Sequence, residues 1–165
     1  MTTAEELPPV PADPLEPGGR IVVGIDESDH ALIALRWGLR EALVRKASVE
    51  VVHAWLPPVT ALPFGATMPM SLDEGEIDAA ARADLDKVVD TALAELGEAP
   101  EVIRTVLPGS AAPTLVEVSE GAALLVVGSH GRTGWRKLML GSVADAVVQH
   151  AACPVVVVRL PRGDD

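Results

Sequence analysis

Glycines are concentrated in the segment "VVGSHGRTGWRKLMLGSVADAV", residues 126–147, which continues an apolar run. Glycine has no Cβ, so at such positions the backbone can approach a ligand closely and adopt positive φ values. Ser142 follows the last of these glycines, and a helix is predicted to begin there. The first N–H groups of a helix lie at the positive end of its dipole and bind phosphate. The segment therefore predicts a phosphate site made largely of backbone N–H groups.

Three cations, Arg132, Arg136 and Lys137, stand in the same segment of a chain whose formal net charge is −11. An overall acidic balance disfavours general binding to nucleic acid or to an anionic membrane, because counterion release requires a basic surface. We therefore expect neither partner. The three cations are interpreted either as phosphate or subunit contacts or as solvated loop charges.

From Arg20 onward, short runs rich in valine, isoleucine and leucine alternate with helical patterns. Such alternation indicates a parallel sheet with helices on both faces. We predict the α/β class, with a single doubly wound, five-stranded, Rossmann-like sheet. The predicted strands are 20–26, 48–55, 101–107, 122–128 and 154–160, and the predicted helices are 29–46, 74–97, 109–121 and 142–151.

The carboxyl ends of these strands are the expected ligand side, since open parallel sheets bind ligands where the strand order reverses. Asp26, Trp55, Leu107 and Gly128 all stand at such ends. Two plainer interpretations stay open. Asp26 would then only cap the next helix or bond to a turn, and the glycines would only build a tight connection between a strand and a helix.

Residues outside these elements suggest three further features. Residues 1–19 are rich in proline and acids and are predicted to be a disordered tail, followed by one domain over 20–161 and a short tail over 162–165. Residues 56–72 contain four prolines, which predicts a long surface loop without regular structure, able to close over a ligand. No signal peptide and no apolar run of the roughly 18 residues needed for a membrane span is evident, so a cytoplasmic location is expected.

The glycine spacing matches neither of two familiar phosphate-binding loops, G-x-x-x-x-G-K-[ST] and G-x-G-x-x-G. Gly128, Gly131, Gly141 and Ser142 instead form G-x2-G-x9-G-S. In this the chain resembles the universal stress protein family, whose ATP-binding members carry G-x2-G-x9-G-[ST] in a five-stranded α/β domain. "VVGIDES", "VVHAW" and "HAACPVVVVR" extend the resemblance over about residues 20–160.

The resemblance implies a set of nucleotide contacts. Asp26 would contact the adenosine part, Ala54 would meet the adenine through its backbone, and Gly128 and Gly131 would leave room for ribose and phosphate. The phosphate donors would come from Gly141, Ser142 and Val143. The predicted site also includes Gly24, Ile25, Ser129 and Arg132. The ligand would be ATP or another adenine nucleotide, cyclic AMP among them, with Mg²⁺ held through the phosphates.

The chain also departs from the family pattern at three positions. Relatives often have serine or threonine where Ala144 stands, glycine where Glu27 stands and serine where Ala31 stands. A missing hydroxyl at position 144 and an added negative charge at position 27 would weaken affinity for a triphosphate without abolishing it.

Catalytic machinery is not evident in the sequence. No G-x-S-x-G motif occurs, the four histidines lack metal-ligand spacing, and no nucleophile and base form a clear pair, so we predict neither catalytic nor metal-binding residues. A nucleotide-binding signalling protein with an unknown protein partner is favoured over a slow ATP hydrolase or a nucleotide-free interaction module. The valine-rich strand 154–160 would pair with its mate in a homodimer, as the family implies, unless the terminal "PRGDD" protects that edge.

Overall fold

The computed structural model describes residues 18–57, 59–61, 67–69, 73–131 and 140–160. Seven strands and four helices lie in these ranges. The strands are β1 (Arg20–Ile25), β2 (Ser48–Trp55), β3 (Val59–Ala61), β4 (Thr67–Pro69), β5 (Val102–Pro108), β6 (Leu124–Gly128) and β7 (Val155–Val158). The helices are α1 (Asp29–Arg45), α2 (Glu74–Ala94), α3 (Ala111–Val118) and α4 (Ser142–His150).

Five parallel strands form the main sheet, in the order β5-β2-β1-β6-β7. β1 is central, and Val23 pairs with Val51 of β2 on one side and with Val126 of β6 on the other. The chain first builds outward from β1 through β2 to β5, and then returns to the opposite side for β6 and β7. The strand order therefore reverses between β1 and β6, which confirms the predicted α/β fold and locates its switch point.

Each face of the sheet has its own apolar core. Leu35 and Leu39 of α1 and Val89 of α2 are fully or almost fully buried with Val23 on one face. Leu115 of α3, with the buried residues of α4, packs with Val22 on the other face. Side chains alternate between faces along a strand, so strands that are covered on both sides consist almost wholly of apolar residues. The low aromatic content, 2%, is compatible with this packing because valine, leucine and alanine fill both cores.

The residues at the helix ends explain the start of α1 and the end of α3, but not the end of α2. The Ser28 side chain caps α1 by accepting from the Ala31 N–H, and Gly121 beyond α3 has φ +69°. The second helix is shorter at its C-terminus than the predicted range 74–97. α2 ends at Ala94, and Glu95 follows in a right-handed conformation, so the helix stops before Gly97 is reached.

Residues 56–72 contain more regular structure than predicted. β3 and β4 form a two-stranded antiparallel ladder in which Val59 pairs with Pro69. The prediction that the four prolines exclude regular structure is wrong here. Each strand of a two-stranded ladder has one unpaired edge, and proline, which lacks an N–H, is accepted at an edge or a strand end.

Cys153 and Trp55 are both buried, as packing residues would be. Burial raises the pKa of the Cys153 thiol, against the opposing effect of a hydrogen bond from Ser119. Trp37 is partly buried against the first core, whereas Trp135 lies outside the described residues. None of the helices in the described ranges is long and apolar enough to span a membrane.

Candidate functional site

The crevice between the ends of β1 and β6 contains the acid and the glycines that the sequence singled out. Asp26 follows β1, and Ser129, His130 and Gly131 follow β6. One carboxylate oxygen of Asp26, Oδ2, lies 2.8 Å from the position that a Cβ on Gly131 would occupy. The predicted convergence of Asp26 with the glycine segment is therefore present, and Gly131 is small because the carboxylate occupies the space of a side chain.

Gly128 leaves room for the first turn of α1, because it has no side chain. A Cβ at this position would lie 2.7 Å from the backbone carbon and 2.8 Å from the carbonyl oxygen of His30. The imidazole of His30 lies beside that of His130, with ring centroids 5.3 Å apart. Gly128 thus lets the end of β6 and the start of α1 pack directly together.

Backbone hydrogen bonds fix the two described parts of the glycine segment that border residues 132–139. The Ser129 N–H donates to the Val158 carbonyl of β7 at 2.8 Å, and the Gly141 N–H donates to the Ser129 carbonyl, also at 2.8 Å. A Cβ on Gly141 would lie 3.1 Å from the Cα of His130. Ser129 and Gly141, which flank the connection from β6 to α4, therefore meet, and the start of α4 is held against the end of β6.

The start of α4 provides hydrogen-bond donors facing this crevice. Gly141 is its N-cap, and the first intrahelical bond runs from the Asp145 N–H to the Gly141 carbonyl at 2.9 Å. Helix geometry leaves the N–H groups of residues 142–144 without an intrahelical acceptor. Ser142 is exposed and Val143 is half-buried. The helix dipole adds positive potential at this end, so the arrangement fits an anionic group such as phosphate.

Other predicted site residues lie elsewhere. Gly24 is buried, and a Cβ there would lie 2.6 Å from Cδ1 of Leu115, so its small size serves the packing of α3. The Ile25 carbonyl lies 3.3 Å from Nδ1 of His53. Ala54 is half-buried near the end of β2, across β1 from the glycine segment. Arg132 lies outside the described residues, as do Arg136 and Lys137.

The expectation for Ala144 lacks physical support in this structure. Its side chain is 2% exposed and packs in the second core with Val22 and Val147. A hydroxyl at this position would enter an apolar cluster. The missing hydroxyl is therefore a poor reason for weak phosphate binding. Glu27 is exposed, and its effect on affinity stays a prediction.

Two contributors to the site were not recognised from the sequence. Ser28 lies outside the predicted contact set, yet its N–H and its hydroxyl both donate to Oδ1 of Asp26, at 3.0 and 2.5 Å. The spacing of Asp and Ser by two residues is the signal, because aspartate commonly accepts from the backbone two positions ahead. The backbone contact of His30 with Gly128 has no comparable signal, since it depends on tertiary packing.

A parallel sheet with a glycine segment and a helix start at its switch point defines a Rossmann-like α/β domain. Within that class the assignment is specific, because residues 19–159 match the model of the Universal stress protein family. The chain belongs to the universal stress protein family.

Individual relatives agree with this assignment. The chain is 40% identical over 146 residues to a universal stress protein of Mycobacterium tuberculosis, covering 84% of this chain and 47% of that protein. It thus spans about half the length of the curated relatives it matches. Among solved structures, UspA of Lactobacillus plantarum shares the fold, with a TM-score of 0.63, 22% identity and coverage of 86% and 97%. The universal stress protein of Archaeoglobus fulgidus in complex with dAMP gives a TM-score of 0.57, 26% identity and coverage of 85% and 97%.

Proposed function

We propose that the protein binds an adenine nucleotide in the crevice between β1 and β6 and acts as a nucleotide-dependent stress-response or signalling protein. One observation carries the proposal: the Asp26 carboxylate and Gly141, the N-cap of α4, both adjoin Gly131 at the switch point of the sheet. The complex of the Archaeoglobus fulgidus relative with dAMP supports an adenine nucleotide as the ligand class. ATP is the form that the G-x2-G-x9-G-S motif favours.

The crevice is positive at the start of α4 and negative at Asp26, and this difference would orient a bound nucleotide. Phosphates would lie at the start of α4, where N–H donors and the helix dipole attract them. The nucleoside would lie toward Asp26, since a carboxylate repels phosphate but accepts hydrogen bonds from hydroxyl and amino groups. Mg²⁺ would be brought by the phosphates. Within the described ranges, no group of three or more His, Cys, Asp or Glu residues is placed to hold a metal ion.

Calorimetric titration with ATP, AMP and dAMP tests this proposal. Ser142→Glu places a negative charge where the phosphates would lie and should lower ATP affinity at least tenfold, a loss of about 1.4 kcal/mol. Ala80→Glu adds the same charge at an exposed position of α2 and should leave the affinity unchanged. Wild-type protein that binds none of the three nucleotides, or equal losses in both variants, would contradict the proposal.

We also propose a homodimer formed through β7. Its four residues are all valine, and the strand has a sheet neighbour only on the β6 side within the described residues. β5, at the opposite edge, carries Arg104 and ends at Pro108, features that discourage edge pairing. Two copies of this chain would also approach the length of the relatives, of which one chain covers 47%. The protein partner that would receive the signal is not identified by any of these features.

A further inference from the structure

We infer that Ser28 is a positioning residue for the nucleotide site, acting through the Asp26 carboxylate. This inference rests on the proposed nucleotide-binding function and names a residue outside the predicted contact set. Asp26 Oδ1 accepts two hydrogen bonds, both from Ser28: one from its N–H at 3.0 Å and one from its hydroxyl at 2.5 Å. Both bonds go to the same oxygen, so they fix the rotation of the carboxylate as well as its place.

With its rotation fixed, the carboxylate directs its second oxygen, Oδ2, toward Gly131. This oxygen lies 2.8 Å from the position that a Cβ on Gly131 would occupy. Oδ1 therefore accepts the two hydrogen bonds from Ser28, and Oδ2 faces the glycine segment. A ligand in the crevice would meet one preset acceptor. Such an acceptor takes a neutral donor, a hydroxyl or amino group of the nucleoside, because an anionic phosphate would be repelled.

The Ser28 hydroxyl is itself held in place, which makes it a rigid support. It accepts a hydrogen bond from the Ala31 N–H at 3.2 Å and so caps α1. The carbonyl oxygen of His130, in the glycine segment, lies 3.5 Å from the same hydroxyl. One hydroxyl therefore joins the start of α1 to the Asp26 carboxylate, accepting from the first and donating to the second. Its loss in an alanine side chain would release the carboxylate from one of its two bonds.

Calorimetric titration with ATP on four variants tests the inference. Ser28→Ala keeps the backbone donor but loses the hydroxyl, and we expect affinity to fall roughly tenfold, as for one hydrogen bond to a charged group. Ser28→Thr restores a hydroxyl and should return affinity to within about twofold of wild type. In an Asp26→Ala background, Ser28→Ala should change affinity by less than about twofold, because the two residues act as one unit.

Asp73→Ala is the matched control for the lost helix cap. Asp73 caps α2, its carboxylate accepting from the Gly75 N–H at 2.8 Å, so the variant loses a comparable cap elsewhere. It should bind ATP as wild type does, with the melting temperatures of all variants recorded by circular dichroism. The inference is overturned if Ser28→Ala binds normally, if Ser28→Ala weakens the Asp26→Ala protein as strongly as wild type, or if Asp73→Ala loses as much affinity. Wild-type protein that fails to bind ATP overturns the proposed function, and the inference with it.

Discussion

At the scale of single residues, the three motif glycines have separate neighbours inside the protein. Gly128 faces the backbone of His30, Gly131 faces the side chain of Asp26, and Gly141 faces the backbone of the segment that it closes. A motif that resembles a ligand-binding signature is therefore also a packing requirement. The two roles can be separated by substitution, because the Gly128 position is bounded by backbone atoms of a helix, whereas the Gly131 position is bounded by one side chain.

Gly128→Ala and Gly131→Ala should consequently have opposite profiles. The Cβ of Gly128→Ala would overlap the first turn of α1, and we expect the free energy of unfolding to fall by roughly 1–3 kcal/mol. Gly131 is exposed, and the free energy of unfolding of Gly131→Ala should stay within about 0.5 kcal/mol of wild type. The variant should bind ATP more weakly, because its Cβ displaces the Asp26 side chain. Urea unfolding and calorimetry measure the two effects. Equal destabilisation by both substitutions would contradict this assignment.

At the scale of elements, α2 is attached to the sheet through a pair of carboxylates. Arg104 of β5 donates to Asp86 at 2.9 Å and also to Asp90, one turn further along the helix. These two bonds raise the pKa of Arg104 above its usual value. The Arg104 side chain is 28% exposed, and its partners Asp86 and Asp90 are 48% and 66% exposed, so solvent screens each pair. The attachment of α2 to the outer edge of the sheet therefore depends on two pairs that share one guanidinium.

Arg104→Met should therefore lower the free energy of unfolding by about 1 kcal/mol, more than an exposed pair would. Arg82 supplies the comparison, because within the described residues it has a single bond to Asp78, 3.2 Å long, and both residues belong to the same helix. Arg82→Met should cost less than about 0.5 kcal/mol. Urea unfolding at low salt and in 1 M NaCl distinguishes the two, since salt should narrow the Arg104 difference. An Arg82 effect as large as that of Arg104 would refute the attachment.

Sequence reasoning predicted elements more reliably than contacts. β2 has the predicted bounds, 48–55, because its valine-rich pattern and flanking residues agree. The end of α2 and the pairing of β3 with β4 were missed, since proline and glycine permit breaks without requiring them. The orientation of Ala144 into the core could not be predicted because it depends on how α4 is rotated against the sheet. Asp26 could be placed at the site because the ends of parallel strands share one edge.

At the scale of the whole molecule, hydrogen bonding leaves β7 a regular outer edge. Leu125 N–H donates to the Pro154 carbonyl and Ser129 N–H to the Val158 carbonyl. In a parallel ladder, alternate residues face the neighbouring strand, so Val155 and Val157 direct their backbone groups outward. A second copy of the chain could pair there without disturbing the bonds between β6 and β7.

Val157→Pro should therefore reduce dimerisation while leaving the fold in place. It removes one outward N–H and no donor to β6. Val102→Pro is the matched change at the other edge, because the bond from the Val49 N–H to the Glu101 carbonyl places the Val102 N–H outward on β5. Native mass spectrometry and sedimentation velocity should show monomeric Val157→Pro and dimeric Val102→Pro. A monomeric wild type, or a Val157→Pro dimer, would contradict an interface at β7.

The burial of the only cysteine makes the chain suitable for optical measurements. Cys153 is 8% exposed, and its raised thiol pKa keeps it protonated and unreactive near neutral pH. A second thiol introduced by Arg159→Cys would be exposed and could be labelled selectively with a fluorophore. Arg159 adjoins Val158, whose carbonyl accepts from Ser129 at the start of the glycine segment. A dye at this position would lie one residue from the hydrogen bond that joins the proposed subunit edge to the proposed nucleotide site, close enough to report events at either.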